Sequence, residues 1–190
     1  MSESESGREA VAVVLDFLPH GRADDDRPRY QKEPLAYALT ESDFRLLELT
    51  LERDGGIGIG DSVTVEPPED REGIEKVREI EYDDLSAAAQ SELEHAVVDV
   101  VERDERRFVD FYNDAQPITL RLHQLNLLPG IGKKLRNNVL EARKRQPFES
   151  FDDLEDRVAG LHNPEDVLVE RIIEEIRADD LKYRTFARRE

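Results

Sequence analysis

The spacing of apolar residues changes once along this chain, at Asp83-Asp84, and this change limits the folds that the chain can adopt. Before it, apolar and polar residues alternate in short runs separated by Gly, Pro and Asp, which is typical of β-strands joined by turns. After it, apolar residues recur every three or four positions, the spacing of helices that bury one face. The sequence therefore predicts an α+β protein with its strands first and its helices second.

The part of the chain before Asp83 contains four or five candidate strands, at residues 11–17, 34–39, 44–51, 57–65 and 74–82. The third run fits both a helix and a strand, and we interpret it as a strand. In the fourth run, Ile57, Ile59, Val63 and Val65 are expected to share one face. Short strands joined by turns over about 70 residues fit a small OB- or SH3-like barrel. We predict an OB-like β-barrel domain at residues 10–82, after a disordered tail at residues 1–9.

The part after Asp83 is predicted to be all helical. Apolar residues from Leu85 to Val101 share one helical face, and the charged run 102–107 has none, so the helix is expected to bend or break there. Residues 83–116 are therefore predicted to be connecting helices. Pro117 ends this stretch, and Thr119 is the expected cap of the next helix. Residues 117–190 contain only short amphipathic patterns, which predict a separate all-α domain.

The composition excludes several classes of protein. The 190 residues include no Cys, which excludes disulfides, thiolate metal sites and Cys nucleophiles. No run approaches the roughly 18 apolar residues of a membrane span, and the first residues lack a signal peptide's pattern, so we expect a soluble, cytoplasmic protein without a membrane partner. The net charge is −18, with 21 Arg and 6 Lys. We interpret this balance as adaptation to a salty cytoplasm, and an ordinary acidic protein is the alternative.

The charge is unevenly distributed along the chain. Residues 1–115 hold 31 acidic and 13 basic side chains, whereas residues 116–190 hold 14 of each. Within the second part, residues 121–145 carry seven basic side chains and only Glu141 as an acid. A basic segment in so acidic a chain predicts a polyanionic partner.

The basic segment contains the sequence Leu-Pro-Gly-Ile-Gly-Lys-Lys, at residues 128–134. Leu122, Leu125 and Leu128 predict a helix before it, and an amphipathic pattern from Ile131 to Ala142 predicts a helix after it. This is the pattern of a helix–hairpin–helix motif, in which the glycines let the backbone turn sharply. The free amides of residues 130–134 and the helix dipole would then favour an anion. Residues 117–190 are therefore predicted to be a helix–hairpin–helix domain.

A degenerate second copy is predicted at residues 150–176, because Ser150 resembles a helix cap and Val158-Ala-Gly160-Leu161 resembles the hairpin. It lacks the lysine pair and is acidic, so we interpret it as a scaffold packed against the first copy. The predicted nucleic-acid-binding residues all belong to the first copy: Pro129, Gly130, Ile131, Gly132, Lys133, Lys134, Arg136, Arg143, Lys144 and Arg145. The alternative is an interhelical turn that binds no nucleic acid.

Other candidate sites are weaker. The four histidines are scattered, and His123 is expected to have a packing role more readily than a phosphate contact. Tyr30 and Tyr37 could stack bases on a barrel face. We expect no catalytic residues, no metal site and no cofactor.

The runs QPITLRLHQLNLLPGIGKKL, PFESFDDLEDRVAGL and KYRTF resemble the archaeal family called DUF655, over residues 11–186. The resemblance implies an N-terminal OB-like β domain and a C-terminal helix–hairpin–helix domain. It also implies RNA or nucleotide binding, which is the role predicted for the family, and it brings no established activity. The acidic, arginine-rich composition would make this chain a halophilic member.

We therefore expect a non-catalytic protein that binds nucleic acid, with RNA favoured over DNA, by contacting backbone phosphates without strong sequence specificity. A DNA-binding repair or nuclease-associated protein is one alternative. Glycosylases with this hairpin need an Asp or Lys placed shortly after it in a larger helical domain, and besides basic and amide side chains residues 133–148 offer only Glu141. The other alternative is a protein-interaction adaptor near the translation machinery, whose acidic barrel would bind ribosomal or RNA-processing proteins.

Overall fold

A computed structural model describes residues 9–189 of the chain. The predicted disordered tail therefore lies outside the described residues, except for Glu9. The protein is mixed α+β, as predicted, and its described residues form a five-stranded antiparallel sheet and five α-helices. Its described residues divide into two compact units, one of residues 9–96 with 176–189 and the other of residues 97–175.

The sheet consists of β1 (Ala10–Leu18), β2 (Leu35–Thr40), β3 (Leu46–Leu51), β4 (Ser62–Glu66) and β5 (Ile74–Glu79). The order across the sheet is β4-β1-β2-β3-β5, and every neighbouring pair is antiparallel. Because β4 and β5 are the two edges and do not pair within residues 9–189, the sheet is a curled half-barrel rather than a closed barrel. This arrangement is consistent with an OB-like β part. The strand interpretation of residues 44–51 is confirmed from Leu46 to Leu51, whereas Phe44 has a φ of +53° and lies before the strand.

The fourth predicted strand is shorter than expected. β4 begins at Ser62, because residues 57–61 form a loop in which Asp61 accepts a hydrogen bond from the Gly58 amide at 2.8 Å. Gly60 adopts a φ of +85°, which a strand residue does not. Ile57 still packs against the core, but Ile59 is 57% exposed. The expectation that Ile59 shares a face with Val65 was therefore wrong.

A buried polar contact joins the sheet to the first helix. The pairing of β1 with β2 shifts register between Val14 and Asp16, and the Asp16 side chain is buried. The Ser86 hydroxyl donates to Asp16 Oδ2 at 2.6 Å and accepts from the Ala89 amide at 3.1 Å. Ser86 thus caps the helix that follows and fixes its start against the strand.

The helices are α1 (Ala87–Arg103), α2 (Glu105–Asp114), α3 (Lys133–Arg145), α4 (Phe151–Arg157) and α5 (Pro164–Arg177). The predicted break in the charged run is confirmed, since α1 ends at Arg103 and α2 begins at Glu105. The predicted helix at residues 122–128 is instead a single 3-10 turn, Gln124–Leu127, that follows a bridge between Pro117 and His123. Thr119 lies in the loop of that bridge and accepts from the Leu122 amide at 3.0 Å, so it caps no helix.

The boundaries of the two compact units do not coincide with the predicted domain boundaries. The boundary falls inside α1, and residues 176–189 belong to the unit that contains the sheet. Two contacts within that unit account for this: the Arg188 amide donates to Asp43 O at 2.9 Å, and the Arg189 guanidinium contacts Glu81 at 2.8 Å. None of the helices in residues 9–189 is long and apolar enough to cross a membrane.

Candidate nucleic-acid interface

The turn at residues 128–132 leaves one face of its backbone open. Gly130 has a φ of +78°, and the Ile131 amide donates to Leu128 O at 3.2 Å, which closes the turn. Ile131 is buried and anchors the turn from inside. A Cβ added to Gly130 or to Gly132 would meet no atom within 4 Å. The outer side of both glycines is therefore accessible to a ligand.

This open face presents free backbone amides. α3 begins directly after Gly132, and no side chain caps it. Within residues 9–189 no acceptor is found for the amides of Gly130, Gly132, Lys133 and Lys134, whereas that of Ile131 is used inside the turn. Four of the five amides expected to face an anion are thus available, at the positive end of a 13-residue helix.

The two lysines beside these amides are exposed. Neither Lys133 nor Lys134 pairs with a carboxylate of residues 9–189. Both line an open groove of about 490 Å³, which Ala159 and Gly160 of a second turn also line. Among the described residues of this lining, the two lysines are the only charged ones.

The turn that contains Gly160 packs beside α3. Gly160 has a φ of +88°, and a Cβ placed there would lie 3.6 Å from Leu135 Cδ1. The Asn138 side chain donates to Ala159 O at 3.0 Å. α5 then begins with Glu165 and Asp166, where burial and the neighbouring Glu102 raise the pKa of Glu165. This second turn thus has carboxylates where the first has lysines.

Asn126 braces the first turn and was missed by the sequence analysis. Its side-chain Nδ2 donates to Ile131 O at 3.2 Å. Its side-chain Oδ1 accepts from the backbone amide of His123 and from Arg136 Nη1, both at 3.2 Å. Arg136 also donates to Asn137 Oδ1 at 3.3 Å. These acceptors are neutral, so Arg136 keeps a positive charge next to the turn. A capping pair of residues three apart, His123 and Asn126, was the available signal.

The remaining predicted basic residues lie at the other end of α3. Lys144 is about 16 Å along the helix axis from Lys133, from the rise per residue. Arg143 donates to Tyr112 O at 3.2 Å and to Ala115 O at 2.9 Å, so it caps the end of α2. Burial lowers the pKa of Arg143. The structure therefore brings residues 129–134 and Arg136 together, and it places Arg143, Lys144 and Arg145 elsewhere.

His123 and Tyr37 are interior residues. His123 is 6% exposed, and its Nδ1 accepts from the Leu125 amide at 3.1 Å. Burial lowers the pKa of His123, and the charges of Arg143 and Arg136 lower it further. Tyr37 is also buried, so it cannot stack a base, whereas Tyr30 is 71% exposed. His123 is thus a cap that supports the turn, as its expected packing role implied.

Because the folded pKa of His123 lies below its ordinary value, acid should destabilise the protein through this residue. The unfolded chain takes up the proton near pH 6.5 and the folded chain resists it. The contribution of His123 is complete above that pH and is lost as the pH falls. We expect urea unfolding to show that the wild type loses more stability than His123→Asn does when the pH is lowered from 8 to 5.5. The asparagine keeps a hydrogen-bond acceptor but does not titrate. Equal losses in the two proteins would contradict this role.

The fold and the turn define a class: a mixed α+β protein with a curled antiparallel sheet and a helical unit that exposes a glycine turn beside two lysines. The family model described as "Protein of unknown function (DUF655)" matches residues 8–188, and the chain belongs to this family. It is 39% identical over 175 residues to an uncharacterized protein of Methanocaldococcus jannaschii, across 92% of this chain and 76% of that relative. It is also similar to the crystal structure of a DUF655 protein of Archaeoglobus fulgidus, with a TM-score of 0.85 and 42% identity. That match covers 95% of this chain and 100% of the other.

Proposed function

We propose that this protein binds nucleic acid, RNA in preference to DNA, without catalysing a reaction. Its contact would be the turn from Pro129 to Lys134, acting as the hairpin of a helix–hairpin–helix motif. The observation that carries this proposal is that one open face of the turn holds four amides without an acceptor and two lysines without a carboxylate partner in the part of the chain that the structure describes. Such a face is complementary to a phosphate group of a nucleic-acid backbone.

The chemistry of this face favours a phosphodiester over a carboxylate-bearing protein surface. A phosphate group offers several oxygens, which can accept from successive amides at a helix N-terminus. Lys133 and Lys134 would act as mobile point charges that adjust to the path of the strand. Because only phosphate and sugar atoms are contacted in this way, the affinity should depend little on base sequence.

The second turn limits the mode of binding. Glu165 and Asp166 lie in the first turn of α5, so their carboxylates would repel the phosphates of a second nucleic-acid strand. One cationic turn supports contact with one strand, which fits single-stranded segments. The preference for RNA rests on the OB-like character of the sheet and on the family resemblance.

The acidic composition belongs to the same proposal. We infer a cytoplasmic, salt-adapted protein, because carboxylates on the surface hold water and cations in concentrated salt. For a single-stranded nucleic acid, the logarithm of the binding constant falls linearly with the logarithm of the salt concentration. Each phosphate that the protein neutralises steepens this slope by about 0.7. Directed amide contacts should therefore carry more of the binding at high salt than the lysine charges do.

Substitution of Gly132 by alanine tests this function without disturbing the turn. Gly132 has a φ of −90°, and its added Cβ meets no protein atom, so only the N-cap preference for glycine is lost, at about 1 kcal/mol or less. The methyl group would stand among the amides that face the phosphate. We expect Gly132→Ala to weaken binding of a fluorescent single-stranded RNA at least about fivefold, or roughly 1 kcal/mol.

Gly160→Ala is not a suitable control, because its positive φ would strain the second turn. Asn138→Ala is better, since it removes a contact within the same groove without covering the amides. It should leave RNA affinity within about twofold of the wild type. If Gly132→Ala binds RNA as tightly as the wild type in anisotropy titrations, the amides do not contact the ligand.

A protein partner is the second candidate function, and the charge of the sheet-containing unit favours it. Residues 9–96 and 176–189 hold 25 acidic and 14 basic side chains. Such a surface would attract basic proteins, among them ribosomal or RNA-processing proteins. The two functions are compatible, because they use different units of the chain.

A further inference from the structure

A second cluster of basic side chains lies in the sheet-containing unit, where the net charge is negative. An open pocket of about 470 Å³ is lined by Asp43, Arg45, Arg184, Ala187, Arg188 and Arg189. Four of the 14 basic side chains of this unit therefore line one pocket. Its volume falls within the range of small-molecule sites.

The pocket is built by contacts that hold the last described residues against the turn between β2 and β3. The Arg188 amide donates to Asp43 O at 2.9 Å, which fixes the backbone at the pocket. Arg189 donates to Ile176 O at 2.8 Å and contacts Asp179 at 2.7 Å. These contacts orient the segment before any ligand arrives, so little ordering would be required on binding.

The carboxylate at the pocket is already satisfied. Asp43 accepts from the Thr40 hydroxyl at 2.6 Å and pairs with Arg45 Nε at 2.9 Å. Arg184 is held by two carbonyls, those of Ala178 and Leu181. Arg188 is the exposed member of the group, and its guanidinium pairs with no carboxylate of residues 9–189.

We propose that this arginine pocket binds a phosphate group. The planar fork of a guanidinium matches the oxygens of phosphate, and the pocket places the Arg188 fork beside three further arginines. Arg188 would supply the direct contact. Arg45 and Arg189 stand beside it, held in place by their own carboxylates: Asp43 and Glu79 for Arg45, and Glu81 and Asp179 for Arg189. No residue is shared with the turn at 129–134, so the pocket is independent of the proposed function. The phosphate belongs either to a free phosphate compound or to a nucleic-acid backbone.

Thermal unfolding of the full chain with inorganic phosphate tests the pocket, with sodium chloride at equal ionic strength as the reference. We expect phosphate to raise the Tm of Lys133→Glu/Lys134→Glu as well as that of the wild type, because the lysines lie outside the pocket. Arg188→Gln should weaken phosphate binding at least about tenfold. The phosphate affinity of Arg188→Lys should lie between those of Arg188→Gln and the wild type, since lysine keeps the charge but lacks the planar guanidinium.

Competition separates the two sources of phosphate. Displacement of inorganic phosphate by a single-stranded oligonucleotide without a terminal phosphate assigns the pocket to a nucleic-acid backbone. Displacement only by an oligonucleotide that carries a 5′-phosphate, or by a mononucleotide, assigns it to phosphate monoesters. The proposal fails if millimolar phosphate produces no shift beyond that of chloride, or if Arg188→Gln responds as the wild type does.

Discussion

Replacing Lys133 and Lys134 by glutamate is expected to lower the affinity for single-stranded RNA at least about tenfold, or about 1.4 kcal/mol. Both ammonium groups are exposed and unpaired within residues 9–189, so the change removes two attractive charges and adds two repulsive ones beside the amides. Acidic residues in the first turn of a helix also suit its dipole. The variant should therefore fold as the wild type does, and the loss should appear in binding alone.

The matched control is Lys144→Glu/Arg145→Glu. It changes the net charge by the same amount on the same helix, about 16 Å away from the first pair. We expect this control to lose no more than about threefold in affinity in fluorescence anisotropy. Equal losses for the two double variants would mean that the RNA responds to overall charge rather than to the turn.

Replacing Glu175 by alanine is expected to destabilise the protein by about 3–5 kcal/mol. Glu175 is fully buried, and its Oε2 accepts from Arg171 Nε at 2.9 Å. Arg171 is itself 6% exposed, so its charge would be left in the interior with a lost partner. Chemical denaturation at neutral pH would measure this loss.

Two further variants distinguish the effect of an unpaired buried charge on Arg171 from the loss of an ion pair as such. Glu174 also contacts Arg171, at 3.5 Å, but it is half exposed, so Glu174→Ala should cost about 1 kcal/mol or less. The double variant Arg171→Met/Glu175→Leu removes both charges and should recover most of the stability lost by Glu175→Ala. If Glu175→Ala unfolds at the same denaturant concentration as the wild type, the pair does not stabilise the fold.

The fold was predictable where local pattern decides the structure. The alternation in the first run and the change of spacing at Asp83 are local properties, and both correspond to elements of the structure. The open sheet was not predictable, because it depends on which strands pair across long separations. The loop at 57–61 was missed because its apolar alternation resembles a strand, whereas Gly60 and the Asp61 side chain hold a turn there.

The candidate site was predictable only near its turn. Glycines and lysines adjacent in sequence necessarily lie together, so residues 129–134 could be identified from the chain alone. The position of Arg143 could not be predicted, because its partners, Tyr112 and Ala115 at the end of α2, lie 31 and 28 residues earlier in the chain. The arginine pocket was hidden for the same reason, since Arg45 and Arg188 are distant in sequence and meet only in the folded unit.

An NMR titration with a short single-stranded RNA would show whether backbone amides of the turn hold a phosphate. We expect the largest amide shifts at Gly130, Gly132, Lys133 and Lys134. In the same titration of Lys133→Glu/Lys134→Glu, these shifts should occur only at higher RNA concentration. Largest shifts at Lys144 and Arg145, with the turn amides unmoved at saturation, would contradict this role of the turn.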